Sequence, residues 1–155
     1  KKPQIKWVND IYLDGKKICG ILTEAVTDFE SGSIESIVVG VGVDCTMDKA
    51  IIPEELCGII GSLGVEAISR NRLAAEIAAG ILISFENLGS SEIIDEYRKR
   101  SLMFGREINF MRGNERLSAK VTGISDSGGL LVCLGSGENI ALTSGEVTIG
   151  SLQNQ

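Results

Sequence analysis

Asn9, Asp10 and Lys17 crowd one hairpin-like stretch, "KWVNDIYLDGKKICGILTE" at residues 6–24. A carboxamide, a carboxylate and an ammonium this close can hold a carboxylate or phosphate ligand, or they can be the wet face of a sheet. The turn decides which side chains meet. Asp14-Gly15 is a two-residue hairpin signal. It sets Leu13 opposite Lys16, Tyr12 opposite Lys17, Ile11 opposite Ile18 and Asp10 opposite Cys19. Opposed residues share a face, as do residues two apart on a strand. Asp10, Tyr12, Lys17 and Cys19 are then expected on one side, with Asp10 and Lys17 as diagonal neighbours. Such a pair is either a cross-strand salt bridge, worth under about 1 kcal/mol when exposed, or a site. In a site, Lys17 would face an anion, and Asp10 would steady it or take a hydrated Mg2+.

A second group lies at "GVGVD", residues 40–44. A Gly-x-Gly alone is weak evidence for a phosphate loop, because no third glycine follows at dinucleotide-binding spacing and no helix opens there. Gly40 and Gly42 more naturally let a backbone or a flat ring approach the strand closely. Asp44 then points into whatever lies there.

The composition narrows the chemistry. The 155 residues have 43% hydrophobic and 23% charged side chains, enough for one good core or one core and a satellite domain. A net charge of -6 argues against a broad nucleic-acid surface, which needs clustered cations. The basic group at Lys1, Lys2, Lys6, Lys16 and Lys17 is the local exception. There is no histidine, and Cys19, Cys45, Cys57 and Cys133 form no C-x-x-C pair. Zinc sites and imidazole mechanisms are therefore disfavoured. The cysteines read as reduced core residues of a cytoplasmic protein. No apolar run approaches the ~18 residues of a membrane span, and no signal-like segment appears. The sequence starts at Lys1 without Met and runs straight into strand-like residues, which reads as the later part of a longer polypeptide.

The elements that must hold these groups follow from periodicity. Residues 5–13 and 16–24 read as the two hairpin strands. The β-branched run at 34–45 suits a strand buried on both faces. "IPEELCGIIGSLG" has Pro53 at a first helical position and Gly64 as a stop, and predicts a short helix. In "SRNRLAAEIAAGILISFENLG", Leu73, Ile77, Ile81 and Phe85 recur at helical steps, with Ser69 or Asn71 as cap and Gly89 as end. "SSEIIDEYRKRSLM" predicts a second helix, capped by Ser90 or Ser91 and basic at its negative end. Beyond Phe104, short strands broken by "RGNE", "SDSGG" and "GSGEN" suit a small barrel of about five strands. The domain boundary is expected there, dividing 1–103 from 104–155.

At this point the segments resemble a known family. "KWVNDIYLDGKKICGILTE" resembles the K-W-P-N-D-(L/I/V) … K-(L/I/V)-x-G-I-L-x-E segment of biotin protein ligases. "IVVGVGVDC" resembles their (I/V)-(V/I)-G-(I/A)-G-I-N segment, and "TSGEVTIG" their closing G-E-(V/I)-S-(I/L)-R. The three come in the family's order and span nearly the whole chain. The fold implied is α+β: the second half of a mixed-sheet, class II synthetase-like catalytic domain, then a small SH3-like β-barrel. The activity implied converts biotin to biotinyl-5'-AMP with ATP and Mg2+. Biotin then passes to a lysine of a biotin carboxyl carrier domain, of acetyl-CoA carboxylase or a related carboxylase. Lys17 matches the lysine that contacts biotin and the adenylate phosphate. Asn9 and Asp10 match the pair lining the nucleotide site. Gly20, Gly40 and Gly42 match glycines around it, and Asp44 matches an asparagine that reads adenine. A homodimer is compatible with the resemblance; nucleic-acid or membrane partners are not implied for these residues.

The sequence also departs from the pattern. Val8 replaces Pro, Asp44 replaces Asn, and Gly150 stands where many members carry Arg. The family's G-R-G-R loop, which encloses biotin, is not among these residues; Gly105-Arg106 sits at the entrance to the expected barrel. The alternative reading is a degenerate, non-catalytic interaction or dimerisation module of the same fold. A lipoate-type ligase fits the K-W-x-N-D segment less well.

Overall fold

The structure is a computed structural model and describes residues 2–28, 30–48, 50, 52–64 and 69–150. Lys1 of the basic group, and the residues after Gly150 in the expected second domain, lie outside these. The chain divides into two compact units, Lys1–Gln4 with Asn9–Ala78, and Ile5–Val8 with Ala79–Gln155.

One sheet has the order β1-β2-β3-β4, built from Gln4–Lys6 (β1), Asp10–Leu13 (β2), Lys16–Thr27 (β3) and Ile34–Val43 (β4). The β2–β3 and β3–β4 pairs are antiparallel. The mixed sheet implied by the resemblance is represented here by these antiparallel pairs, with an isolated parallel bridge between Lys17 and Ile60. Asp14 and Gly15 turn β2 into β3 with φ of 52° and 78°, the pair of positive values that a type I′ turn demands. The core of this unit is small: Leu13, Ile18 and Cys19 are buried, with Ile11, Ile21, Val41, Val43 and Leu63 packed against them.

β4 is not buried as its composition predicts. Ile34, Ile37, Val38 and Val39 are exposed, on both faces of the strand. Continuous β-branched sequence encodes a strand that can be covered twice; the described residues of this unit cover neither face. The predicted helix at 53–64 is also corrected. Only one 3-10 turn forms, Glu54–Leu56, and Gly58 and Gly61 follow it in non-helical backbone. Four free cysteines are found as expected, but only Cys19 is buried; Cys57 is exposed and Cys45 and Cys133 are intermediate.

The helix α1 spans Arg70–Glu86, so the division between units falls within it. Ser69 caps it, its hydroxyl accepting from the Arg72 N–H at 3.3 Å. Leu73, Ile77 and Ile81 form a half-buried stripe, while Leu82, Ile83 and Phe85 are exposed. The helix α2, Ser91–Arg100, starts after Ser90, whose side chain makes no capping bond. Its last turn carries Arg98, Lys99 and Arg100, the sign favoured at the negative end of a helix. Among the described residues no helix is long and apolar enough to cross a membrane.

The second unit contains a five-stranded antiparallel sheet, order β8-β7-β6-β5-β9. Its strands are Glu107–Arg112 (β5), Glu115–Ile124 (β6), Leu130–Leu134 (β7), Asn139–Leu142 (β8) and Val147–Ile149 (β9). Its apolar positions alternate inward, giving a core of Ile108, Phe110, Ala119, Val121, Ile124, Leu130, Val132 and Val147, joined by Met103 and Trp7. Trp7 is 3% exposed, and its indole N–H donates to the Gly128 carbonyl at 2.9 Å. That carbonyl belongs to the "SDSGG" turn, closed by the Gly128 N–H to the Ser125 carbonyl at 3.0 Å.

Tyr97 donates its hydroxyl to the Val8 carbonyl at 3.0 Å, and burial pushes its pKa up to about 12. Its folded-state pKa therefore lies above the ordinary value of about 10. The stabilisation is fully present below pH ~10 and is lost as pH rises toward 12, because the unfolded phenol ionises first. Burial also raises Tyr12, with Asp10 adding to the shift. The expected result of an absorbance titration at the phenolate band is less than half ionisation at pH 10. Tyr97→Phe should remove the later of the two transitions and flatten the alkaline loss of stability.

Candidate functional site

The hairpin register differs from the simple expectation by one inserted residue. Leu13 faces Lys16 and Tyr12 faces Lys17 as expected, but Ile11 faces Cys19 and Asp10 faces Gly20. A bulge between Ile11 and Tyr12 absorbs Ile18, and Ile18 and Cys19 are both buried beneath it. Cys19 consequently leaves the face of Asp10 and Lys17 and joins the small core, contrary to the simple two-residue alternation. Burial pushes its thiol up, and Asp44 pushes in the same direction. A thiol held protonated is not a nucleophile.

The bulge makes room for the ion pair. Lys17 Nζ lies 2.5 Å from Asp10 Oδ1, with the two side chains 35% and 17% exposed. The ammonium reaches Asp10 by lying across Gly20. A Cβ at Gly20 would stand 3.4 Å from both Lys17 Cε and Nζ and 3.8 Å from the Asp10 carboxylate. Gly20 thus provides the berth for the lysine stem, a role its type alone would not reveal.

The remaining site residues continue the same face. Gly20 is paired with Gly42 and Leu22 with Gly40 across β3 and β4. The row Asp10–Gly20–Gly42 therefore carries a carboxylate followed by two positions without side chains. A Cβ at Gly42 would meet nothing nearer than the Gly20 carbonyl at 3.9 Å, and one at Gly40 nothing nearer than the Leu22 carbonyl at 3.8 Å. The Gly20–Gly42 row is bare, the shape that admits a flat ring, with the Leu22 side chain beside Gly40. Asp44 follows at the exposed end of β4, its N–H donating to the Ile18 carbonyl at 2.9 Å. Asn9 precedes β2. Its side-chain amide donates to the Ile21 carbonyl, and its own carbonyl accepts from the Ile21 N–H at 2.9 Å. Asn9 is thus spent partly on fixing the entry to β2.

All the residues singled out in this unit therefore meet: Asp10, Lys17, Gly20, Gly40 and Gly42 share one sheet face, Asn9 borders it and Asp44 ends it. Chemically, a half-buried ammonium beside a glycine floor can take an anion while a planar group lies alongside. Asp10, the carboxylate that would take a hydrated Mg2+, is paired here with the Lys17 ammonium; one carboxylate with substrate phosphates and waters is a usual ligand set for that ion.

Comparison with known proteins places both ends of the chain. Residues 2–44, which carry Asn9, Asp10, Lys17, Gly20, Gly40, Gly42 and Asp44, match the model of the biotin/lipoate A/B protein ligase family. Residues 103–150, which carry β5 to β9, match the biotin protein ligase C terminal domain. The biotin–[acetyl-CoA-carboxylase] ligase of Mycobacterium tuberculosis is 28% identical over 147 residues, covering 92% of this chain and 52% of that protein. The bifunctional ligase/repressor BirA of Bacillus subtilis is 31% identical over 135 residues, covering 83% of this chain and 41% of that protein. The chain thus spans about half the length of these relatives, or less. The apo structure of biotin protein ligase from Aquifex aeolicus superposes with a TM-score of 0.76 at 24% identity, over 96% of this chain and 65% of that one. The same protein in complex with biotin and ATP superposes at 0.72, over 96% and 62%. At such identity the structural likeness speaks for the fold. With matching family models at both ends of the chain, in family order and each falling on the strands that sequence and structure single out, the chain belongs to the biotin protein ligase family.

Proposed function

We propose that these residues supply the cationic, nucleotide-facing part of an ATP-dependent biotin–protein ligase. The observation that carries the reading is the Lys17 ammonium, tethered to Asp10 and laid over Gly20 at the bare Gly20–Gly42 row. In the reaction proposed, a biotin carboxylate oxygen bonds to the α-phosphorus of ATP and pyrophosphate leaves, giving biotinyl-5'-AMP. The amine of a carrier-domain lysine then attacks the acyl carbonyl; AMP leaves with the bonding pair and the amine loses a proton. Lys17 meets the negative charge that builds around phosphorus and on the departing AMP. Asp10 holds that ammonium in one place, so alignment precedes the reaction. The glycine floor takes the nucleotide's flat ring, and Asp44 accepts from an exocyclic amine where an asparagine would also donate. No protein nucleophile is required, in keeping with a chain that lacks histidine and holds Cys19 protonated.

Residues 104–155 are read as the SH3-like domain that assists nucleotide and carrier binding, with a carboxylase carrier domain as the macromolecular substrate and the cytoplasm as the compartment. The test is formation of labelled adenylate from biotin and α-labelled ATP by the complete gene product that carries these residues. A biotin-dependent adenylate, discharged by added carrier domain, is the expected result. These residues alone are expected to bind biotin and ATP weakly or not at all by titration calorimetry. The alternative, an interaction module with Asp44 and Gly150 in place of the family's Asn and Arg, predicts carrier binding without adenylate; that outcome would replace the ligase reading.

A further inference from the structure

β4 ends opposite Cys19, and Asp44 just beyond it still reaches the Ile18 carbonyl, so the edge of β3 at Lys16 and Lys17 that faces away from β2 has no strand partner from β4. The non-helical segment after the 3-10 turn takes that place. The Lys17 N–H donates to the Ile59 carbonyl at 2.9 Å, and the Gly61 N–H donates to the Lys17 carbonyl at 2.7 Å. Two residues on, the Leu63 N–H donates to the Asp44 carbonyl at 2.8 Å. One short run therefore ties both backbone groups of the ammonium-bearing residue and the carbonyl of the residue that ends the floor. Lys16 adds a strap, its Nζ donating to the Cys57 carbonyl at 3.0 Å.

Gly61 is the residue this contact requires. It is buried, and a Cβ there would stand 2.8 Å from Lys16 Cβ, a separation that real atoms do not adopt. The atom in the way is at the root of the lysine, next to the backbone, and cannot swing aside as a chain end could. An added methyl must push the 59–63 segment away from β3 or push β3 itself. Either movement displaces Lys17 from its berth over Gly20, or breaks the bonds that hold it.

We propose that Ile59–Leu63, through Gly61, is a backbone brace that positions Lys17 for the reacting ligand. Gly61 is a positioning residue; it makes no contact with substrate and acts through Lys17. The proposal rests on the ligase reading above, but the brace itself can be tested without it. In the complete gene product, backbone amide exchange followed by NMR should show protected amides at Lys17, Gly61 and Leu63. Gly61→Ala should expose all three while leaving β5 to β7 protected. Free exchange at those amides in the unsubstituted chain would overturn the brace, whatever the protein catalyses.

The positioning role is tested in the complete gene product. Gly61→Ala should lower kcat for adenylate formation by roughly ten- to a hundredfold, the scale of a sub-ångström to 1 Å misplacement. KM for biotin should move by less than about threefold, because the loss is one of transition-state alignment. In a Lys17→Ala background the same substitution should cost nothing more. Lys16→Gly, which removes the obstructing Cβ, should restore most of the activity of Gly61→Ala, with Lys16→Gly alone as its control. Full activity in Gly61→Ala, a loss that multiplies with that of Lys17→Ala, or a loss untouched by Lys16→Gly would each overturn the positioning role. If the unsubstituted gene product makes no adenylate, the ligase reading fails, and amide exchange alone decides the brace.

Discussion

Lys17→Ala should abolish most adenylate formation, lowering kcat by about 10²–10³-fold, the usual cost of removing one group that stabilises charge in a transition state. The argument is geometric. The ammonium sits 2.5 Å from Asp10 on a half-buried face, ready before any ligand arrives. Preorganisation of this kind acts where charge develops and costs no rearrangement during the reaction. Folding should hardly notice the change, since a partly exposed ion pair contributes under about 1 kcal/mol. Single-turnover assays of the complete gene product, beside urea unfolding, separate the two effects. Equal rates in wild type and variant would remove Lys17 from the chemistry. Gly20→Val is a useful companion, because it keeps the ammonium and fills its berth, where even a Cβ would stand 3.4 Å from Nζ. It should show a smaller loss of the same kind, in kcat rather than in stability.

Trp7→Ala should be the most damaging substitution for stability, at about 3–5 kcal/mol, the range for deleting a buried large aromatic side chain. Trp7 is 3% exposed within the core formed by Met103, Ile108, Phe110 and Leu130, and it is the chain's one tryptophan. Its indole N–H also satisfies the Gly128 carbonyl at 2.9 Å. Trp7→Phe keeps a ring but leaves that carbonyl without its donor, for a loss of roughly 1–3 kcal/mol. Amide exchange in β5 to β7 is the measurement, because it reads this unit separately from the other. The alanine variant should lose protection across that sheet, whereas unchanged protection would mean that Trp7 only rests on the unit. Asn9 and Asp10 follow two and three residues later in the sequence. The tryptophan of the K-W-x-N-D segment is thus an anchor in the core of β5 to β9.

Several features of the site were legible in the residues alone, and each has a local cause. Asp14-Gly15 dictates a tight turn because both positions need positive φ, and that turn brings Lys17 back beside Asp10. Ser69 announces the start of α1 by offering its hydroxyl to an orphan N–H. Alternating apolar residues beyond Phe104 mark strands that bury one face in a common core. Gly40 and Gly42 mark a bare stretch of strand, which the sheet then aligns with Gly20.

Other features depend on partners far away in sequence, which periodicity does not encode. The bulge that admits Ile18 changes which residue faces Asp10, and it is settled by how Ile18 and Cys19 pack beneath the sheet. The run at 53–64 carries helix signals at both ends, yet Gly58 and Gly61 weaken its interior, and Lys17 and Asp44 offer its N–H and C=O groups better partners. β4 has the composition of a covered strand but is exposed on both faces, because apolar sequence states a capacity for burial and not the surface that meets it. Residue types and turns thus determined the chemistry available and the ion pair at its centre; tertiary contacts decided which glycine makes room for the lysine, which segment braces it, and where Trp7 is anchored, because each depends on atoms brought together across long stretches of chain.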